Sequence, residues 1–167
     1  MKKLFAVGLI GISVGMAWGQ ATNYQTVTLF VYSFTKFVQW PEEVNTGDFE
    51  IVVLGNSPVF AELKTMSEKK KVGSRAIQLS KIAGPSEFKK GHILYVSTEW
   101  LSKYSEVAGK VGDLPTLIIT EHATGTNKGD INFIHKDGKL AFEINSPNLT
   151  KHRLKASAEL VRFAVTN

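Results

Sequence analysis

The side chains that could carry acid–base or metal chemistry in this chain are its four histidines: His92, His122, His135 and His152. No two of them have i, i+4 or His-X-His spacing, and the chain has no cysteine to complete a metal site. Glu121-His122 follows a predicted strand, at the edge where α/β proteins place ligands, and could form an acid–base or metal pair. A polar strand terminus is the simpler interpretation of that pair. The sequence therefore predicts no metal site, no cofactor and no catalytic group.

A second candidate for binding chemistry is Gly55-Asn56-Ser57, where a predicted strand turns into a helix. Backbone N–H groups at such a turn can hold an anion. The segment lacks both the Gly-X-Gly-X-X-Gly pattern and the P-loop lysine, so helix capping is the competing interpretation. Contact with an anionic ligand is the weaker prediction for these three residues.

The elements that must position these residues alternate along the chain as strands and helices. The predicted strands, most of which carry a continuous apolar run as buried parallel strands do, cover 49–55, 76–80, 92–97 and 117–120. The predicted helices, recognised by apolar periodicity and capping residues, cover 24–39, 56–68 and 99–111. Right-handed crossovers between such strands give a mostly parallel sheet with helices on both faces. We expect an α/β fold, a three-layer α/β/α sandwich in a single domain.

The last quarter of the chain predicts a β-hairpin followed by a helix. Apolar residues alternate with polar or small ones over 129–134 and 140–145, and Asp137-Gly138 supplies the turn. Ser146 is predicted as the N-cap of a final helix, with Pro147 at its first position. Apolar residues then recur at helical spacing for the rest of the chain. The hairpin makes the predicted sheet mixed.

The first predicted helix carries more apolar residues than one buried stripe needs. Phe30, Phe34 and Phe37 share it with several valines, and Trp40 stands just before Pro41, where the helix is expected to end. Packing on the sheet accounts for one face. The other could be buried in a homodimer or against a partner protein. We therefore predict partner binding through these four aromatic residues, with complete burial inside one chain as the alternative.

The first 19 residues predict a secretory signal peptide. Two lysines precede an apolar run from Leu4 to Val14, and small residues at Ala17 and Gly19 suit cleavage before Gln20. The run is shorter than the roughly 20 residues that a spanning helix needs, and no later segment is apolar enough to insert into a membrane. We expect a periplasmic domain that covers residues 20–167.

Charge and composition exclude several classes of partner and mechanism. Loss of the two lysines of the signal peptide lowers the formal net charge from +5 to +3, and the remaining cations are scattered. This basic character is too weak to indicate nucleic-acid binding. The absence of cysteine excludes a disulfide, so stability must come from the core.

Two clusters of motifs, at opposite ends of the predicted mature chain, are shared with a known family. The first is Phe-Thr-Lys-Phe-Val-Gln-Trp-Pro at 34–41. The second is Gly-Asp-Ile-Asn-Phe at 129–133 and Leu-Ala-Phe-Glu-Ile-Asn at 140–145, with Leu154, Ser157 and Leu160 after them. In this combination and order the chain resembles the YfiR/HmsC family of small secreted bacterial proteins. The resemblance covers nearly all of the mature chain.

The chain departs from the family pattern where a family ligand or partner would bind. The paired glycines before Ile-Asn-Phe are reduced to Lys128-Gly129-Asp130, and the usual glycine before Leu154 is Arg153. The hairpin keeps the polar residues Asn132 and Asn145, and Asn145 is expected to bond loop backbone first and a ligand second. Many family members also carry cysteine pairs thought to respond to oxidation. With no cysteine, this chain is not expected to share a redox-sensing role.

The resemblance implies a regulatory protein without catalysis of its own. Similar proteins hold a membrane-bound signalling enzyme, typically one that makes cyclic-di-GMP, inactive by binding its periplasmic sensor domain. We expect a homodimer that represses a diguanylate cyclase or sensor kinase of the inner membrane, with effects on biofilm formation. The competing interpretations are a binding protein for a nucleotide or amino acid, and a hydrolase without a recognisable constellation. The weak ligand contacts of the binding-protein interpretation are Gly55, Asn56, Ser57, His122, Asn132, Asn145 and Arg153.

Overall fold

Residues 22–165 are described by a computed structural model, and within them the chain forms five α-helices and nine β-strands. The helices are α1 (Tyr24–Phe37), α2 (Val59–Lys69), α3 (Tyr104–Val111), α4 (Ser146–Lys151) and α5 (Ala158–Phe163). The strands are β1 (Val38–Gln39), β2 (Phe49–Leu54), β3 (Lys71–Val72), β4 (Arg75–Ile82), β5 (Ile93–Val96), β6 (Leu117–Glu121), β7 (Ile131–Lys136), β8 (Lys139–Ile144) and β9 (Lys155–Ala156). Short 3-10 helices lie at Glu42–Val44, Pro85–Glu87 and Thr98–Lys103. The predicted signal peptide, 1–19, lies outside the described residues.

Seven of these strands form one sheet in the order β3-β4-β2-β5-β6-β7-β8. The five inner strands run parallel, and the edge strands β3 and β8 are antiparallel to their neighbours. The predicted α/β class, the mixed and mostly parallel sheet and the hairpin are therefore confirmed. The predicted strand 76–80 is longer in the structure, because β4 pairs with all six residues of β2.

The sheet buries side chains on both of its faces. Ile51 and Val53 of β2 belong to a core shared with α1, α2, α4 and α5, whereas Val52 and Leu54 belong to a second core shared with α3. Alternate residues of a strand point to opposite faces, so a strand covered on both sides is apolar throughout. This explains the continuous apolar runs of the sequence and gives the three layers.

Helix α1 ends two residues earlier than the prediction of 24–39. It begins at the N-cap Asn23, whose side-chain oxygen accepts a hydrogen bond from the N–H of Thr26 at 3.1 Å. It ends at Phe37 because the next two residues are extended and pair with β9, Val38 with Ala156 and Gln39 with Lys155. Pairing with a distant segment, and not Pro41 alone, fixes the end of this helix.

The single final helix predicted from Ser146 is wrong, since the segment is divided into α4, β9 and α5. The N-cap is Asn145, whose side chain accepts from the N–H of Asn148, and not Ser146. Arg153 adopts a left-handed conformation with φ of 56°, which stops α4. Its N–H donates to Thr150 and that of Leu154 to Leu149, the hydrogen-bond pattern of a helix C-terminus that usually carries glycine.

The helix predicted over 99–111 is also divided. Its first part is the 3-10 helix Thr98–Lys103, with Ser97 at the cap position, and only Tyr104–Val111 is α-helical. Across residues 22–165, no helix has the length and apolar content needed to cross a membrane.

Candidate functional site

An apolar groove lies on the surface between α1 and α5. It encloses about 210 Å³ and is lined by Phe30, Ser33, Phe34, Phe37, Phe142, Leu160 and Phe163; we call it the aromatic groove. Its α1 side follows from helical spacing, because residues three and four apart share one face. Its α5 side is set by Ser157, whose side chain accepts from the N–H of Leu160 and so starts the helix that carries Phe163.

The aromatic groove has a packed floor and an exposed rim. Phe30 contacts three other rings, with centroid distances of 6.3 Å to Phe34, 6.0 Å to Phe133 and 5.6 Å to Phe142. In contrast, Phe163 is 69% exposed. Water-exposed aromatic surface of this kind beside a fixed floor is the usual form of a protein-binding site.

The four aromatic residues predicted to bind a partner therefore divide into two pairs. Phe30 and Phe37 are half-buried and line the aromatic groove. Phe34 is fully buried, and Trp40 lies apart from the groove, packed edge-on against Phe49 with its indole N–H donating to the carbonyl of His92. Phe34 and Trp40 are thus core residues that offer almost no surface to a partner, because the sheet and its loops cover them. Phe163 was not among the predicted residues; it lies on α5, after the break in the predicted final helix.

At the Gly55-Asn56-Ser57 turn the chain supplies its own anion. The side chain of Glu99 accepts a hydrogen bond from the N–H of Asn56 at 2.7 Å, and a Cβ on Gly55 would stand 2.1 Å from the same carboxylate oxygen. Ser57 accepts a hydrogen bond from the N–H of Val59, the first residue of α2, although the cap position itself is Pro58. An external anion could reach this turn only by displacing Glu99.

A larger cavity of about 600 Å³ opens beside that turn, at the carboxyl ends of β2 and β4. Lys81, which donates to the side chain of Asn56, and Trp100 line it, with the Lys103 ammonium 5.6 Å from the Trp100 ring centroid. Glu87 and Glu99 also line the cavity, so two carboxylates balance the two lysines, and the ring of Trp100 is the feature that could hold a flat molecule.

The Glu121-His122 pair is separated by the fold. Glu121 is buried and accepts hydrogen bonds from the hydroxyls of Tyr95 and Tyr24, the latter at 3.3 Å. Burial raises the pKa of Glu121 to about 7, and the hydrogen bond from Tyr24 opposes this. His122 is exposed and stacks on His135 instead. The two neighbours therefore do not form an acid–base dyad.

The polar residues of the hairpin region hold backbone together. Asn132 is fully buried; its side-chain oxygen accepts from Thr120 and from the N–H of Ala123, and its amide donates to the carbonyl of Ala123 and to Glu143. Asn145 caps α4, as the backbone-bonding prediction has it, and Arg153 ion-pairs with Glu43 at the surface. The structure does not bring these three residues together with the Gly55 turn around one ligand.

A buried ion pair that sequence analysis missed lies close to the hairpin. The Nδ1 atom of His152 is 2.8 Å from a carboxylate oxygen of Asp130, and the other oxygen accepts from the N–H of Ile118. The one sign of this close approach in the sequence is Gly129, next to Asp130, because a Cβ there would clash with the carbonyl oxygen of Ile118. Only glycine allows the two segments to approach so closely.

The chain matches a known protein family. The family model described as YfiR/HmsC-like matches residues 24–165, which is most of the chain. No curated protein matches the chain.

Among residues 22–165, no three or more His, Cys, Asp or Glu side chains cluster in a way that could hold a metal ion.

Proposed function

The chain belongs to the YfiR/HmsC-like family, and from this premise we propose that it represses a signalling enzyme of the inner membrane by binding that enzyme's periplasmic domain. The family is one of periplasmic, non-catalytic regulators in cyclic-di-GMP signalling. The finer role, repression of a diguanylate cyclase or sensor kinase, is our proposal. Such repression requires only that the protein bind the inactive state of the enzyme more tightly than the active state.

The aromatic groove is the observation that supports this function best. Phe163 and Leu29 are 69% and 67% exposed, and Leu29 precedes Ser33 of the groove by one helical turn. Burying such side chains against a partner releases free energy of about 1.5–3 kcal/mol each. Aromatic residues at the centre of an interface supply most of the binding energy of typical complexes. Phe30 and Phe37 are therefore the retained partner-binding residues, and Phe163 is added to them.

Complementation of a deletion strain tests the proposal. Restoring the gene should lower the cyclic-di-GMP level, measured with a fluorescent reporter, and a Phe163→Glu variant should leave the level as in the deletion strain. A charge on the groove rim costs binding without touching the core. Leu114→Glu is the matched control, because Leu114 is an exposed leucine, 38% exposed, outside the groove.

The outcomes are distinguishable. Full activity of Phe163→Glu with normal export would place the partner surface elsewhere. An unchanged cyclic-di-GMP level on deletion would contradict the regulatory function itself. Sedimentation of the purified mature protein tests the proposed homodimer, which should dissociate in Phe163→Glu if the same surface mediates it.

A second function, binding of a small molecule such as a nucleotide or an amino acid, is favoured by the cavity at Lys81 and Trp100. A thermal-shift screen with nucleotides and amino acids tests it, since a ligand bound only by the folded state raises Tm. A Lys81→Ala variant should abolish any such shift.

A further inference from the structure

The two exposed histidines of the chain meet on one side of the sheet. The rings of His122 and His135 lie with centroids 4.9 Å apart and planes within 9° of parallel. His122 directly follows β6, and His135 belongs to β7, its parallel neighbour. The other two histidines, His92 and His152, are buried and hydrogen-bonded within the fold.

We propose that His122 and His135 together form a surface binding site for a single divalent transition-metal ion of the Cu²⁺ or Zn²⁺ type. Imidazole nitrogens bind such ions at about 2.0–2.1 Å, so the two nitrogens must come within about 4 Å of each other. Rings whose centroids are already 4.9 Å apart reach that separation by side-chain rotation, and both side chains are free to rotate because they are exposed. Water completes the coordination.

The backbone holds the two residues at this distance before any ion binds. The N–H of His122 donates to the carbonyl of Phe133 at 2.8 Å, which ties the end of β6 to β7 two residues before His135. His122 has a positive φ of 52°, a conformation in which histidine occurs more often than most residues. Folding therefore already supplies the conformational entropy needed to bring the two ligands together, and metal binding does not have to.

The neutral imidazole is the form of histidine that binds a metal ion, so protons compete with the metal at low pH. The adjacent carboxylate of Glu121 is buried against Tyr95 and Tyr24, which leaves a site with two protein ligands.

Copper and zinc titrations of the untagged mature protein, followed by calorimetry after treatment with EDTA, test the site. We expect one equivalent bound, with Cu²⁺ tighter than Zn²⁺, as the general order of affinities requires. His122→Asn and His135→Phe should each weaken binding by at least about tenfold, since even supporting residues of metal sites cost 10–100-fold. Asparagine tolerates the positive φ, and phenylalanine keeps a ring for stacking while removing the nitrogens.

A second measurement does not depend on variants. Substoichiometric Cu²⁺ should broaden the imidazole proton resonances of His122 and His135 in the wild-type NMR spectrum and leave those of His92 and His152 sharp. Three results would overturn the proposal. They are equal metal binding by wild type and both variants, broadening centred on other residues, and no binding at about 0.1 mM metal, which is on the order of the Kd of weak extracellular metal sites. The two rings would then be a stacked pair only.

Discussion

Two buried acidic residues, one at the end of β6 and one just before β7, have different hydrogen-bond partners. Glu121 ends β6 and Asp130 precedes β7, and their side chains are 2% and 0% exposed. Burial is the largest effect on both and raises the pKa of each. Asp130 has a histidine and a backbone N–H as partners, whereas Glu121 has two phenol hydroxyls. The two carboxyl groups are therefore equally buried, but only Asp130 has a partner, His152, that can carry a positive charge.

The partners of Asp130 make it a brace between three segments. Its carboxylate joins the N–H of Ile118 in β6 to His152 at the end of α4, while its main chain bonds Ile118 and Asn145. His152 opposes the effect of burial on the pKa of Asp130. An acid compensated in this way contributes to the architecture around the hairpin.

Within residues 22–165 no ion pair involves Glu121, so its ionisation is costly. Its side chain accepts a hydrogen bond from the hydroxyl of Tyr24, the first residue of α1, and so links the end of β6 to that helix. The contrast shows that a buried carboxyl group becomes a brace or a titrating group according to what faces it.

The largest effect is expected from removing the brace. Asp130→Ala leaves the imidazole of His152 and the N–H of Ile118 buried without an acceptor. Breaking a buried pair in this way costs about 3–5 kcal/mol, so the free energy of unfolding in urea should fall by that amount. Asp113→Ala is the control, because Asp113 is exposed and its loss should change stability by less than about 0.5 kcal/mol. Equal losses in both variants would contradict the role of the pair.

Replacement of Glu121 should change the pH dependence of stability. Because the pKa of Glu121 rises from an ordinary 4.5 to about 7 on folding, the folded state holds the proton more tightly. Its contribution to stability is full below pH 4.5 and is lost as the pH rises through about 7. Glu121→Gln keeps an acceptor for the tyrosines without the charge. Its stability relative to wild type should increase by about 2–3 kcal/mol between pH 5 and pH 8.

Urea unfolding at the two pH values, with EDTA present so that no metal is bound at the neighbouring His122, measures this difference. Glu68→Gln serves as the control, since Glu68 is exposed near the end of α2. A Glu121→Gln curve parallel to wild type across the pH range would show that Glu121 is ionised in the fold at little cost. The contrast with Asp130 would then fail.

Much of the fold could be predicted because it depends on local patterns. Buried strands such as β2 and β5 carry continuous apolar runs, 51–54 and 93–96, and the hairpin turn at Asp137-Gly138 needs only positive φ at both residues, 51° and 74°. The break in the final helix could not be predicted in this way. Leu154, Ala158 and Val161 recur at helical spacing in the sequence, but pairing of β9 with β1 overrides it.

The candidate sites depended more on tertiary structure. The sequence placed the aromatic residues on α1 but could not separate the floor of the groove from its rim, because Phe163 reaches it from the other end of the chain. The pairing of β6 with β7 brings His122 beside His135, and Asp130 meets His152 across 22 residues. Spacing rules detect pairs within one helix or strand, so they found none of these contacts.

The smallest predicted effect concerns the turn that presents His152 to Asp130. Arg153 follows His152 with φ of 56°, a conformation that costs a residue with a Cβ about 1–2 kcal/mol. Its ion pair with Glu43 is exposed to solvent, and pairs of this kind contribute little to stability. Arg153→Ala loses the ion pair and keeps the strain, whereas Arg153→Gly loses both but gains about 0.5–1 kcal/mol of backbone entropy in the unfolded state. Arg153→Gly should therefore unfold at a higher urea concentration than Arg153→Ala, by about 1 kcal/mol in free energy. The turn at Arg153 places His152 against Asp130, so the same two variants should also be compared in an Asp130→Ala background. If the turn relaxes once the Asp130 side chain is removed, the difference in unfolding free energy between Arg153→Gly and Arg153→Ala should vanish. If the backbone pairing of β9 alone holds the turn, the difference should persist.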